Sequence, residues 1–215
     1  MAARILDLPQ ERLIIQSGRV READRHFGPT VALGDVARAL ESGDNGVGTR
    51  GLVAEGRFHS GALAFPYAVA VALAEIDPLT GIVRVPRVFV AAEVGNAVNP
   101  AMVEGQVVGG AVHGVGSALF TALDVSDGGD PTRVSLADCG LPTARDAPAV
   151  EVLIAEDAPA EANPFGLRGA GEGAVGGVPA AIACAVDEAL GVPGFARSLP
   201  IRPADVLRVL RRRGG

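Results

Sequence analysis

Aromatic side chains are scarce in this chain of 215 residues: it has no tryptophan, one tyrosine and seven phenylalanines. Aromatic packing therefore cannot carry the fold. The core has to come from Val, Leu, Ile and Ala packed at close range over a backbone that contains 29 glycines. Cysteine is as rare. Cys139 and Cys184 are too few and too differently placed for a disulfide framework, and neither has the CxxC partner of a zinc site. That usage fits a reducing cytoplasm. Positive charge is also short: a formal net charge of −6 excludes the basic footprint of a nucleic-acid binder. The one basic cluster, Arg208 and Arg211 to Arg213, ends a predicted C-terminal helix, where cations favour the helix dipole. No export signal is visible, because Asp7, Glu11 and Arg12 interrupt the apolar start. One uncharged window, Gly105 to Leu123, matches a membrane span in length. Gln106, His113, Ser117 and its glycines make it too polar for lipid, so it is read as a helix buried in protein and no span is expected.

What is present is apolar: 48% of the residues are hydrophobic and the mean hydropathy is +0.31, which bounds the chain to one substantial globular domain or two small ones. Alternation around Leu13, Ile15 and Val20 predicts a strand over 11–22, and 33–41 has the spacing of a short helix ending near Gly43, followed by a loop to Arg50. Extended segments are expected at 51–56 and 65–76. Asp77-Pro78-Leu79-Thr80-Gly81 is turn chemistry, and the Val-rich run 82–94 after it completes a hairpin. Asn99 as N-cap and Pro100 at the first helical position start a long glycine-rich helix to about Thr121. A turn at 127–131, irregular chain at 135–141 and a strand at 150–154 precede a helix over 175–190 closed by Gly191. A last helix, 203–213, presents Val206, Leu207 and Leu210 beside Ile201 as its apolar face. Strands and helices come in mixed order without a repeating βαβ unit or an internal repeat, which is the pattern of an α+β fold.

The most constrained stretch runs from Asn163 to Gly173, where the acid Glu172 stands among closely spaced glycines at a predicted helix start. Glycine backbone can approach a ligand, and an acid held there can be aimed. The segment 171–176 also matches GxGxxG. That match carries no dinucleotide fold: an Asn-Pro-Phe-Gly loop precedes it where a strand is needed, and helix follows it.

Several ordered blocks carry a resemblance. They are Asp77 to Gly81, Val94-Gly95-Asn96-Ala97-Val98-Asn99-Pro100, the run Val103 to Leu119, Leu141-Pro142-Thr143, Asn163 to Gly173, and Val178-Pro179-Ala180-Ala181-Ile182. Together they resemble the C-terminal part of the molybdopterin-binding large subunit of the xanthine dehydrogenase and aldehyde oxidase family, carbon monoxide dehydrogenase-like members above all. The resemblance covers most of the chain. It implies that residues 1–215 form the second half of a molybdopterin-binding domain, with the upstream half of the large subunit as a missing partner. It also implies a molybdenum hydroxylase that oxidises an aldehyde, an N-heterocycle or a similar small substrate with water as oxygen source.

By that resemblance Glu172 is the general base beside the metal, and Gln106, Gly109, Gly110 and His113 on the long helix, with Gly169, Ala170, Gly171 and Gly173, face the cofactor. No residue of this chain is expected to ligate the metal. The cofactor implied is molybdenum-molybdopterin in its cytosine dinucleotide form. Iron-sulfur and FAD groups are expected in partner subunits of a cytoplasmic, heteromeric complex that is inactive without them. A dry, glycine-walled cleft is expected around Glu172, raising its carboxyl into the working range of a general base. Structural readings stand beside each role. Glu172 as an N-cap acid is worth roughly 0.5 kcal/mol to the helix dipole. Gln106 can be an interhelical amide and His113, where many relatives have Gln, a core histidine. Arg168 can pair with Glu172, with an anionic cofactor group or with solvent-exposed acids. His26 and His59 have no ligand spacing. A non-catalytic structural or assembly protein derived from the same family is the alternative to an enzyme piece.

Overall fold

Alternating Val and Ala in two consecutive strands organise the larger part of the molecule, and a glycine seam lets two helices close on them. A computed structural model describes residues 1–25, 27–41, 51–53 and 55–213, with the side chain of Arg213 left aside. The predicted loop 42–50, the stop at Gly43 and His26 lie outside the described residues. The chain divides into two units, Met1–His59 and Ser60–Gly215.

In the first unit, helix α1 (Ala2–Leu6) precedes a small antiparallel sheet of β1 (Leu13–Gln16), β2 (Arg19–Glu22) and β3 (Val31–Ala32), followed by α2 (Leu33–Glu41). The single strand expected over 11–22 is thus a hairpin. Ser17 and Gly18 both take positive φ, 49° and 73°, the handedness that matches strand twist in a two-residue turn. Val20, Val31, Val36 and Leu40 form its core. Glu22 is buried there and is held by Arg12 at 2.5 Å. Residues 51–53 and 55–56, expected as extended, belong to no strand.

The second unit contains β4 (Tyr67–Ile76), β5 (Val83–Glu93), α3 (Pro100–Leu119), β6 (Ala149–Ala155), α4 (Gly173–Leu190) and α5 (Pro203–Arg213). The sheet order is β4-β5-β6, with β4 antiparallel and β6 parallel to β5, so α3 is the crossover between two parallel strands. Asp77 closes the β4–β5 turn by accepting from the Leu79 amide at 2.8 Å. Gly81, at φ +74°, completes the turn beneath α5, where a Cβ would lie 2.4 Å from the Pro203 carbonyl. Asn99 caps α3 by accepting from the Met102 amide at 3.2 Å, with Pro100 at the first position.

Helices α3 and α4 pack against each other through residues without side chains. A Cβ on Gly114 would sit 2.8 Å from Val178 Cβ, and one on Gly110 3.2 Å from Ala174 Cβ. Val88, Val90, Val107, Val115, Val178, Ile182, Val186 and Val206 are fully buried between sheet and helices. α4 is long and apolar enough to cross a membrane by length and composition. Its Val178, Ile182 and Val186 face is spent on the sheet and α3, as in a core helix. Gly191 ends it in the left-handed conformation, φ 59°.

Candidate functional site

The chain leading into the constrained loop is anchored to the end of β5 by an acid that the sequence reading passed over. Glu93 accepts from the Gly95 amide at 2.7 Å through one oxygen, and from Asp157 at 2.9 Å and Ala158 at 3.3 Å through the other. Burial alone would raise its carboxyl, but these three donors and the nearby Arg168 cation outweigh that and hold it below the ordinary glutamate value. Asn96 donates to the Phe165 carbonyl at 2.7 Å, and its amide donates to the Gly166 carbonyl at 3.1 Å. Asn163 both donates to and accepts from Leu167 main chain, at 2.8 and 2.9 Å. Gly95 must be glycine here: its φ is +65° and a Cβ would collide with the Gly166 carbonyl at 2.1 Å.

Arg168 is a second strut. It donates to the carbonyls of Ala158 at 2.6 Å and Phe65 at 3.1 Å, and its guanidinium lies 5.0 Å from the Tyr67 ring centroid. The pairing with Glu172 weighed above does not form, because the guanidinium is committed to these carbonyls. Gly169 then donates to the Ala64 carbonyl at 3.1 Å, and Gly169 and Gly173 run over Pro66. The chain reaches the first turn of α4 with its course set on both sides.

Glu172 is the N-cap residue of α4, yet its side chain makes no capping bond. It is exposed, and among the described residues its carboxylate has no hydrogen-bond or ion-pair partner. The dry cleft expected around it is therefore not built by these residues. At the start of α4 the Val175 amide donates to the Glu172 carbonyl at 3.1 Å, and the Gly173 and Ala174 amides before it belong to the first turn, which has no intrahelical acceptors to offer them.

The long helix meets this segment at one point. A Cβ on Gly171 would sit 3.1 Å from Gln106 Nε2, so the Gln106 carboxamide lies over the Gly171 backbone. Gln106, Gly109 and His113 share one exposed stripe of α3, spaced three and four residues apart. Around Gly109 and Gly105 a Cβ would meet nothing within 4 Å, so the stripe is open along its length. Gly110, one turn on from Gln106, lies at the buried margin of that stripe, where the absence of a side chain admits Ala174. His113 is exposed and so is not the core histidine that was its structural reading. Ala170 is half-buried against the core. Among the described residues there is no group of three or more His, Cys, Asp or Glu able to hold a metal ion.

Glu93, Asn96 and Arg168 act on the site by holding its loop. The signal for Glu93 was an acid closing a largely apolar strand; for Asn96 it was its position after Gly95 and for Asn163 its place three residues before Gly166, both glycines with positive φ.

A family model described as a molybdopterin cofactor-binding domain matches residues 1–148, which include all of α3. The gamma subunit of the 6-hydroxypseudooxynicotine dehydrogenase complex of Paenarthrobacter nicotinovorans is 36% identical over 156 residues, 73% of this chain and 20% of that subunit. Among solved structures, quinoline 2-oxidoreductase from Pseudomonas putida 86 superposes on 98% of this chain and 27% of its own, with a TM-score of 0.81 and 28% identity. The Cu,Mo-CO dehydrogenase in its carbon monoxide reduced state covers 99% of this chain and 27% of its own, with a TM-score of 0.79 and 25% identity. The chain thus spans 20% to 27% of the length of these relatives.

Proposed function

The chain belongs to the molybdopterin cofactor-binding family of the xanthine dehydrogenase and aldehyde oxidase type, and from that premise we propose that it forms one wall of the cofactor site in a molybdenum hydroxylase, with Glu172 as general base. The observation that carries this reading is the contact of Gln106 with Gly171. It joins the open stripe of α3 to the backbone at the start of α4, so that two glycine-bearing segments far apart in sequence make one continuous polar surface.

The residues fit the group. Gly105 and Gly109 leave room for a flat ligand to lie on the helix backbone, and Gln106 and His113 flank that room with polar side chains. The amides at the start of α4 favour anionic oxygens, including the phosphates of a pterin cytosine dinucleotide. Gly169, Ala170, Gly171 and Gly173 bring main chain close to such a ligand. Gly110 contributes by letting α4 approach α3.

Bound there, the molybdenum centre would supply the two-electron redox chemistry of hydroxylation with water as oxygen source. The chain's own part is protonic. Among the described residues Glu172 has no hydrogen-bond or ion-pair partner that would compete for its lone pairs, which supports its carboxylate as the proposed acceptor of a proton from water. Enclosure of that carboxylate has to come from outside these residues, since it is exposed here. The upstream half of the large subunit is the proposed source. The electrons leave through iron-sulfur and flavin subunits of a cytoplasmic complex, and the substrate is an aldehyde, an N-heterocycle or a similar small molecule.

The test is cofactor content of the assembled complex. Gly109→Trp fills the open stripe without touching the core, so bound pterin and molybdenum should fall at least tenfold while the melting temperature holds. Gln106→Leu should lower them less. Full cofactor content in Gly109→Trp would refute the placement on α3.

A further inference from the structure

Strand β4 reads Tyr-Ala-Val-Ala-Val-Ala-Leu-Ala-Glu-Ile, apolar at both parities. Strands that are apolar on both faces are those buried on both faces, whereas a strand with one wet face alternates. In this structure only one face is covered. Ala70, Ala72 and Ala74 pack with the core, and a Cβ on Gly177 of α4 would lie 3.6 Å from Ala70 Cβ. The opposite face presents Val69, Val71 and Leu73 at 68%, 54% and 48% exposure.

The neighbouring strands extend that patch. Val69 stands opposite Ala91 and Val71 opposite Phe89 on β5, and Ala91 is level with Leu153 of β6, which is 62% exposed. Polar pairs bound it: Arg168 over Tyr67 at one end, and Arg87 with Glu151 at 3.5 Å at the other. An apolar centre with a polar rim is the anatomy of a protein interface. The edge is open as well. Among the described residues β4 pairs with β5 alone, so ten residues of strand offer unpaired amides and carbonyls along their other side. A lipid surface would leave those backbone groups unsatisfied, whereas another strand would satisfy them.

We infer that the outer face and free edge of β4 are the seat of the remaining polypeptide of the large subunit, which adds a strand to β4 and covers Val69, Val71, Leu73 and Leu153. This rests on the reading of the chain as one part of a molybdenum hydroxylase. The choice of occupant follows from the solved relatives. The fold superposes on nearly the whole of this chain yet occupies 27% of theirs, so in both of those proteins the same chain carries a large further polypeptide. One end of the bare face is the end of the sheet that carries Tyr67 and Glu93, beside the site loop, so the same docking would bring new residues towards Glu172.

The experiment forms the complex between this chain and the rest of its large subunit, whether produced as one polypeptide or two. Affinity is read by titration of separate pieces and amide protection by hydrogen exchange. In the wild type, alternate β4 amides that point away from β5 should become protected on assembly. Val71→Glu on β4 and Leu153→Lys on β6 should each weaken assembly at least tenfold, with far-ultraviolet dichroism and melting of the free chain unchanged. A surface control on α5, Arg212→Glu, should leave it as in wild type. Wild-type affinity in both face variants, or no protection of β4, overturns the inference. So does a dimer of the free chain that Val71→Glu abolishes, because the occupant would then be a second copy. Molybdenum and pterin content is measured separately: assembly through this face without cofactor would refute the function proposed above and leave the docking intact.

Discussion

Two glycines five residues apart in α3 should respond unequally to the same substitution. Gly109→Ala adds a methyl group where nothing lies within 4 Å, and Gly114→Ala adds one 2.8 Å from Val178 Cβ, 3.0 Å from Val178 Cγ1 and 3.1 Å from Pro179 Cδ. Both gain helix propensity, about 1 kcal/mol for Gly to Ala in a helix interior. Only Gly114→Ala also forces α3 from α4. Val178 is fully buried and cannot swing away, and overpacking of this kind costs about 1–3 kcal/mol. The propensity gain is common to the two variants, so the difference between them isolates that cost. In a protein of this size each kcal/mol moves the melting temperature by about 2–4 °C. Calorimetry of the free chain should therefore show Gly109→Ala melting a few degrees above wild type, and Gly114→Ala several degrees below Gly109→Ala. Equal melting temperatures would mean that the two helices are not packed through Gly114, and the placement of the α3 stripe would fall with it.

Asn99→Ala removes the side-chain acceptor for the Met102 amide and should cost about 1 kcal/mol, read as a lower urea midpoint at unchanged slope. Glu93 is held below its ordinary value by amide donors, so its contribution is present above the unfolded carboxyl range and is lost as pH falls through the lowered folded value. Exchange protection of the Asp157 and Ala158 amides, corrected for intrinsic rates, should fall with acidification in that window. In Glu93→Gln it should be low at every pH, and equal protection in the two proteins would contradict the strut role.

Local chemistry was legible wherever a short motif determines its own geometry. Asn99-Pro100 marked the start of α3, Asp77 to Gly81 the β4–β5 turn, and Gly191 the end of α4. The Ser17-Gly18 turn was not legible, because serine rarely takes positive φ and the flanking alternation runs through it without a break. Long-range placement was hidden for a different reason. Gly109 and Gly110 are neighbours in sequence, and only the position of α4 decides that one faces outward and the other inward. The meeting of Gln106 with Gly171 depends on the crossover that brings α3 and α4 together. For Arg168 the sequence left Glu172, an anionic cofactor group and exposed acids open as partners, whereas the fold offers it two carbonyls and the Tyr67 ring.

The general-base role of Glu172 is tested most directly by Glu172→Gln in the cofactor-loaded complex. Glutamine keeps the size and the helix position of the side chain, which makes no capping bond to lose. Molybdenum and pterin content should match wild type while the single-turnover rate of substrate oxidation falls by about a hundredfold or more. A loaded Glu172→Gln complex that oxidises substrate at the wild-type rate would contradict the account.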